Sequence, residues 1–166
     1  LISYVSESDM TDPAVFDFLS EWIDIDNHID YNVAQIFIDN RDWPGNNIKY
    51  WRPQLDDGKW RWILYDTDFG FGVPWMGSGY NFNTLEFAVE ENGPNWPNPP
   101  WSTFLFRKLL ENSSYQKRFI NIFCDRFNTI FDSGYMINRL DSMALNIQDI
   151  IPNHQNKWPD SAIDWD

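Results

Sequence analysis

Histidine, cysteine and basic charge are all scarce in this chain, and each scarcity removes a class of function. Only His28 and His154 are available as imidazole ligands, which argues against a histidine-based zinc site. His28, in the first turn of an expected helix, reads as a surface or packing residue. The single cysteine, Cys124, has no internal partner for a disulfide. It lies in an apolar helical stretch and is expected to be a small buried hydrophobe. Twelve Lys and Arg stand against 25 Asp and Glu, a net charge of −13. That field repels nucleic acid and anionic membrane, and it suits a soluble protein, secreted or displayed at the cell surface. No run approaches the roughly 20 apolar residues of a membrane span. The residues before Asp42 contain neither lysine nor glycine.

What is present is apolar and aromatic. Hydrophobic residues make up 43% and aromatics 18% of the 166 residues, enough to build one domain over 1–166 with a real core. The densest stretch of chemistry runs from Asp42 to Gly72, DWPGNNIKYWRPQLDDGKWRWILYDTDFGFG. Ile48 to Arg52 and Lys59 to Tyr65 are aromatic and β-branched runs around Asp56, Asp57 and Gly58, the pattern of a β-hairpin. Folding the strands back on each other returns Asp66 to Asn47. Side chains two apart in a strand share a face, so Asp66 and Asp68 point the same way if the chain stays extended there. Gly70 and Gly72 then permit a turn or a close approach.

Asp42, Asn47, Asp66 and Asp68 would thus gather as an oxygen-ligand site. Two carboxylates with an amide oxygen suit Mg²⁺ or Mn²⁺, which keep waters for a phosphate to replace. A calcium loop begun at Asp66 fails, because Gly70, Phe71 and Gly77 stand where an EF-hand needs an acid or amide, a glycine and a glutamate. Acids that merely solvate a loop are the plain alternative.

The loop Asp66, Thr67, Asp68, Phe69, Gly70, Phe71, Gly72 resembles the DxDxxFG signature of the spore-coat protein H (CotH) kinase-like family. Upstream, DWPGNNIKYWR is similar to that family's catalytic-loop segment, and His154 and Trp158 match an HxxxW near the end. The resemblance therefore covers most of the chain. It implies an atypical protein-kinase-like C-terminal lobe, α+β and mainly helical, with a small hairpin carrying the metal loop. It also implies phosphate transfer from ATP to a protein hydroxyl with Mg²⁺ or Mn²⁺. By position, Asp42 would be the catalytic-loop aspartate that orients or deprotonates the acceptor hydroxyl. Asn47 would be the second metal ligand, with Asn46 competing for that role. Asp66 would be the principal ligand with Asp68 beside it, and these residues together would hold the metal–nucleotide cofactor. The literal Asp68-Phe69-Gly70 is a distraction, since the family pattern ends at Phe71 and Gly72.

A kinase also needs a glycine-rich loop over the phosphates and a strand lysine paired to a helix glutamate. The segment before Asp42 offers neither. The chain is therefore expected to be a C-terminal lobe whose nucleotide lobe lies elsewhere, inactive by itself. Leu1 as first residue, with no methionine before Met10, points the same way, and any signal peptide would lie upstream. A rival reading is a non-catalytic extracellular module, or a pseudokinase with a structural acidic loop, binding glycan or protein through Trp75, Trp96 and Trp101. The alternative for those tryptophans is that they plug the core beneath their loop. A glycosidase would need acid and nucleophile on opposite sides of a sugar, which acids on one loop fit less well than a metal does.

The remaining elements follow from periodicity and punctuation. Thr11 or Asp12 before Pro13 is a helix start, followed by Val15, Phe16, Leu19, Trp22 and Ile23 on one face. A second helix is expected from about Asp26 to Asn40, with Ile29, Val33, Ile36 and Phe37 facing in. Residues 73–100 read as irregular apart from a helix over Thr84 to Glu90, in the place of a kinase activation segment. Three helices close the chain: Trp101 or Ser102 to Asn112, Ser114 to Phe131, and Tyr135 to Ile151. Their apolar stripes include Phe119, Phe123 and Phe127, then Ile137, Leu140, Ala144 and Ile147. Gly134 and Pro152 mark ends, and Leu1 to Val5 reads as a short apolar segment.

Overall fold

The computed structural model describes residues 1–73, 79–91, 93 and 96–159. Two compact units divide the chain, Leu1–Cys124 and Asp125–Asp166. The elements of the first are α1 (Ile2–Glu7), α2 (Pro13–Trp22), α3 (Ile25–Phe37), β1 (Lys49–Trp51), β2 (Arg61–Ile63), α4 (Thr84–Val89), α5 (Phe104–Leu110) and most of α6 (Ser113–Phe127). The second holds α7 (Ser133–Ile147) and α8 (Ile151–Lys157). The fold is mainly helical α+β with one two-stranded antiparallel hairpin, in keeping with the sequence pattern.

Capping sets the first two long helices. The Asp12 carboxylate accepts from the Ala14 amide at 2.9 Å, with Pro13 in the first turn of α2. Asp24 accepts from the Asn27 amide at 3.1 Å and opens α3. Each cap satisfies a donor that a helix start leaves without a partner. α3 is the centre of this unit. It buries Ile25, Ile29, Val33 and Ile36 together with His28, Tyr31, Asn32 and Gln35. A helix covered nearly all round needs partners for its polar groups, and α3 finds them for His28 and Asn32, though the Tyr31 hydroxyl and Gln35 Nε2 have none among the described residues. Asn32 donates to the His28 carbonyl at 2.7 Å, and His28 Nδ1 meets the Tyr115 hydroxyl at 2.9 Å.

The hairpin hangs on α2 and α3. Its register pairs Lys49 with Ile63, Tyr50 with Trp62 and Trp51 with Arg61. The connection is longer than a tight Asp-Gly turn, because Arg52 Nε donates to the Gly58 carbonyl at 2.7 Å and ties residues 52–58 into a loop. Beyond β1 and β2, the Trp60 amide donates to the Trp22 carbonyl at 2.8 Å, and the Asp24 amide donates to the Trp60 carbonyl at 3.0 Å. The Asn27 side chain acts as a third strand: its Oδ1 accepts from the Trp62 amide at 2.6 Å, and its Nδ2 donates to the Trp62 carbonyl at 3.2 Å.

Several expectations are corrected. Residues 2–7 form a helix, α1, which buries Val5. Cys124 is exposed, because it lies off the α6 stripe that buries Tyr115 and Phe119. Of the two places expected for His28, surface or packing, it takes the second, 3% exposed. Pro152 opens α8 rather than only ending its predecessor, as proline can at a first helical turn. Neither α7 nor α8 has a buried residue, and Ile137, Leu140 and Ile147 of the expected stripe are exposed. Periodicity shows which residues share a face, not whether anything covers it.

Candidate functional site

The first site loop leaves the C-terminal end of α3 and is pinned from below. Trp43 is 2% exposed and Asn40 fully buried. Asn40 Nδ2 donates to Gln35 Oε1 at 2.9 Å, and its Oδ1 accepts the Asp42 amide at 3.2 Å. The Asn46 amide donates to the Asp42 carbonyl at 3.0 Å, closing the turn around Gly45. Gly45 lies against the Pro97 carbonyl and the Pro99 ring, where a Cβ has no room. The loop therefore presents Asp42, Asn46 and Asn47 on a rigid floor.

The second loop, 66–72, follows β2 and is laced to the first. The Arg41 amide donates to the Phe69 carbonyl at 2.9 Å, and the Phe71 amide donates to the Ile38 carbonyl. Asp66 does not continue the strand. It takes φ +52°, and Gly70 closes a turn on the Thr67 carbonyl at 3.0 Å. The extended geometry expected for Asp66 to Asp68 is thus replaced by a left-handed kink. Among the described residues, the non-glycine positions with positive φ are Asp39, Asn47, Asp66 and Phe71. All belong to these two loops. Aspartate and asparagine tolerate that region, whereas Phe71 does so at a cost, and such residues concentrate at functional sites. Gly72, at φ +93°, continues the turn.

Asn47 joins the two loops. Its Nδ2 donates to Asp42 Oδ2 at 2.9 Å and to the Asp66 carbonyl at 3.4 Å, leaving Oδ1 as the atom it can offer a cation. The Asp42 carboxyl titrates above the usual carboxylate range. Partial burial is the main cause, the charges of Asp66 and Asp68 add to it, and hydrogen bonds from Asn47 and Asn46 oppose it. All five candidate residues therefore share one neighbourhood. The three aspartates have no ion-pair partner among the described residues. Carboxylate and amide oxygens are the donor types that a hard divalent cation takes. Among the described residues no cluster of three or more His, Cys, Asp and Glu stands ready to hold a metal. The donor set is two carboxylates and an amide.

Beside Asn46 and Asn47 opens a groove of about 1330 Å³, faced by Tyr50, Trp60, Trp62 and Trp101. The Tyr50 ring meets Trp60 edge-on at 5.6 Å, and Trp62 lies tilted at 6.2 Å. Alternation along the strand does not by itself reveal this groove. The signal for it is the shared parity of Trp60 and Trp62 opposite Tyr50. Trp101 and Trp96 are exposed, 65% and 50%, rather than plugging the core. Pro97, Pro99 and Asn98 fill that place, with Asn98 donating to the Phe87 carbonyl at 2.7 Å. Trp75 lies outside the described residues.

Comparison with curated proteins gave no match, and comparison with solved structures gave none. A family profile described as CotH kinase protein matches residues 1–166, the whole chain. The paired loops therefore lie within a sequence that matches from end to end, and the chain belongs to the CotH kinase protein family.

Proposed function

We propose that this chain carries the catalytic and metal-binding loops of a phosphotransferase that moves phosphate from ATP to a protein hydroxyl. The observation that carries the reading is Asn47, which bridges Asp42 of one loop and Asp66 of the other through a single amide. Phosphoryl transfer asks a protein mainly for positioning and charge neutralisation. Mg²⁺ or Mn²⁺ held by Asn47, Asp66 and Asp68 would neutralise phosphate charge, with Asn46 as the competing amide. Asp42 orients the acceptor hydroxyl and takes its proton. Its upward-shifted carboxyl favours that role, because a base of higher pKa holds a proton better. The aromatic groove beside Asn46 and Asn47 offers flat apolar faces to a nucleoside.

Exposed Trp101 on the same groove favours a second reading, a non-catalytic module that binds glycan or protein. Thermal unfolding with Mg²⁺ or Mn²⁺, with and without ATP, separates the two. Ligand at 100 times its dissociation constant adds about 2.7 kcal/mol. The phosphotransferase reading expects metal and ATP together to raise the midpoint, and Asp66→Ala to abolish the rise while the protein stays folded. An unchanged rise in Asp66→Ala would move the metal elsewhere. No response in the wild-type chain would leave the binding module in the lead.

A further inference from the structure

Beneath the paired loops lies a buried charged pair that the proposed chemistry does not use. Asp39 and Arg41 are each 8% exposed. Arg41 Nη1 reaches Asp39 Oδ1 at only 3.4 Å, and the same oxygen accepts from Thr84 Oγ1 at 3.2 Å. The guanidinium lies over the Phe82 ring at 4.0 Å and the Phe87 ring at 4.8 Å. Asp39 Oδ2 and Arg41 Nε are buried without a hydrogen-bond partner among the described residues. Burying charge this way is expensive, and well-packed apolar residues would often be at least as stable. The pair is better explained by what it positions.

Arg41 touches three segments at once. Its side chain holds residues 82–87 of the stretch that follows the metal loop. Its amide donates to Phe69 in that loop at 2.9 Å. Its carbonyl carbon leads directly into Asp42. Asp39, at φ +49°, turns back beneath it to meet Thr84. We propose that Arg41, braced by Asp39 and sandwiched against Phe82 and Phe87, is a positioning residue that couples the docking of the 79–91 segment to the placement of Asp42 and the metal loop. This rests on the proposed phosphotransferase reading for its consequence, though not for the coupling itself. When α4 is seated the two site loops are held in register, and when it leaves, the Arg41–Phe69 and Phe71–Ile38 bonds loosen.

Hydrogen exchange resolved to single residues tests the coupling, in the wild-type chain and in Arg41→Met, Arg41→Lys and Thr84→Val. Exchange at the Arg41 and Phe71 amides should quicken by about tenfold or more in Arg41→Met, with amides inside α6 unchanged. Arg41→Lys keeps a cation over the rings and should lie nearer the wild type than Arg41→Met does, the reverse of what apolar packing alone would give. Should Arg41→Met not fold, Thr84→Val decides, since it removes one hydroxyl and should quicken the same two amides. Exchange that is unchanged at Arg41 and Phe71, or that rises equally in α6, overturns the proposal. Free Mn²⁺ counted by electron paramagnetic resonance supplies the functional arm. Affinity should fall in Arg41→Met and be partly restored in Arg41→Lys, and equal affinity in all variants also overturns the positioning role. If the wild-type chain holds no Mn²⁺, the phosphotransferase reading falls, and the exchange pattern alone decides the coupling.

Discussion

Two polar clusters depend on α3, one near its start and one just past its end, and they follow opposite rules. At the start, His28 is enclosed by Trp62, Phe106 and Tyr115, with ring centroids at 4.5, 6.3 and 6.0 Å. Its hydrogen bonds run to Tyr115 and Asn32, and burial pushes its pKa down to about 3. The same burial pushes the Tyr115 hydroxyl well up. Both groups are therefore neutral at ordinary pH, as a low-dielectric interior requires. Past the end of α3, Asp42, Asp66 and Asp68 sit on a half-open loop pair, with Asp66 and Asp68 near enough to act on the Asp42 carboxyl and no Lys or Arg paired to the three among the described residues. One cluster has been relieved of charge and closed. The other keeps three acidic side chains on open loops without a basic partner among the described residues.

Asp42→Asn gives the sharpest break between the clusters. It keeps the shape and the hydrogen bond from Asn47 in a changed form, but removes the base. In a protein that joins this lobe to its nucleotide lobe, phosphate transfer should fall by about 10²–10⁴-fold, while thermal stability and metal–nucleotide binding persist. A variant with full activity would show that Asp42 is a structural acid like any other.

The closed cluster should reveal itself through pH instead. His28 is neutral in the folded state down to about pH 3 but takes a proton near pH 6.5 when unfolded. Its folded-state pKa is depressed, so its full contribution is present above pH 6.5 and is lost as pH falls through the window from 6.5 to about 3. Over that window the slope attributable to this residue approaches about 1.4 kcal/mol per pH unit. Urea unfolding at pH 7 and pH 5, in the wild type and in His28→Gln, isolates its share. The wild type should lose more stability between the two pH values than the variant does, and equal losses would mean that His28 is accessible to protons in the fold.

Tyr115→Phe is the mildest intervention. It removes the hydroxyl from His28 Nδ1 and leaves a buried imidazole nitrogen without that partner, at a cost of about 1–3 kcal/mol. Denaturant unfolding should show the loss without any effect on metal binding. An equal effect on both would mean that the two ends of α3 are not separate systems.

Much of the candidate site is legible in the amino-acid sequence, because its residues lie on two loops joined by a hairpin, and a hairpin's pairing is written in local alternation and turn chemistry. Asn47 and Asp66 meet across that hairpin as expected. Asn27 is illegible, since its amide is bonded to a strand 35 residues away, and nothing in the pattern of α3 distinguishes it from any exposed asparagine. The Asp39–Arg41–Thr84 contact spans 45 residues between Asp39 and Thr84 and is hidden for the same reason. Trp96 and Trp101 are open to a mistaken assignment to the core because aromatic character reports affinity for an interior, whereas the space there is taken by Pro97, Asn98 and Pro99.

By itself the sequence determined the longer helices and the hairpin, though not α1 or α8, and it placed Asp42, Asn47, Asp66 and Asp68 in one neighbourhood, since capping, periodicity and turn residues act over a few positions. Only the tertiary structure decided that Asp66 is kinked rather than extended, that His28 is sealed and uncharged, and that Arg41 is committed to Phe82 and Phe87. Those outcomes depend on burial and on long-range partners, which settle the charge and direction of a side chain only when the chain has closed around it.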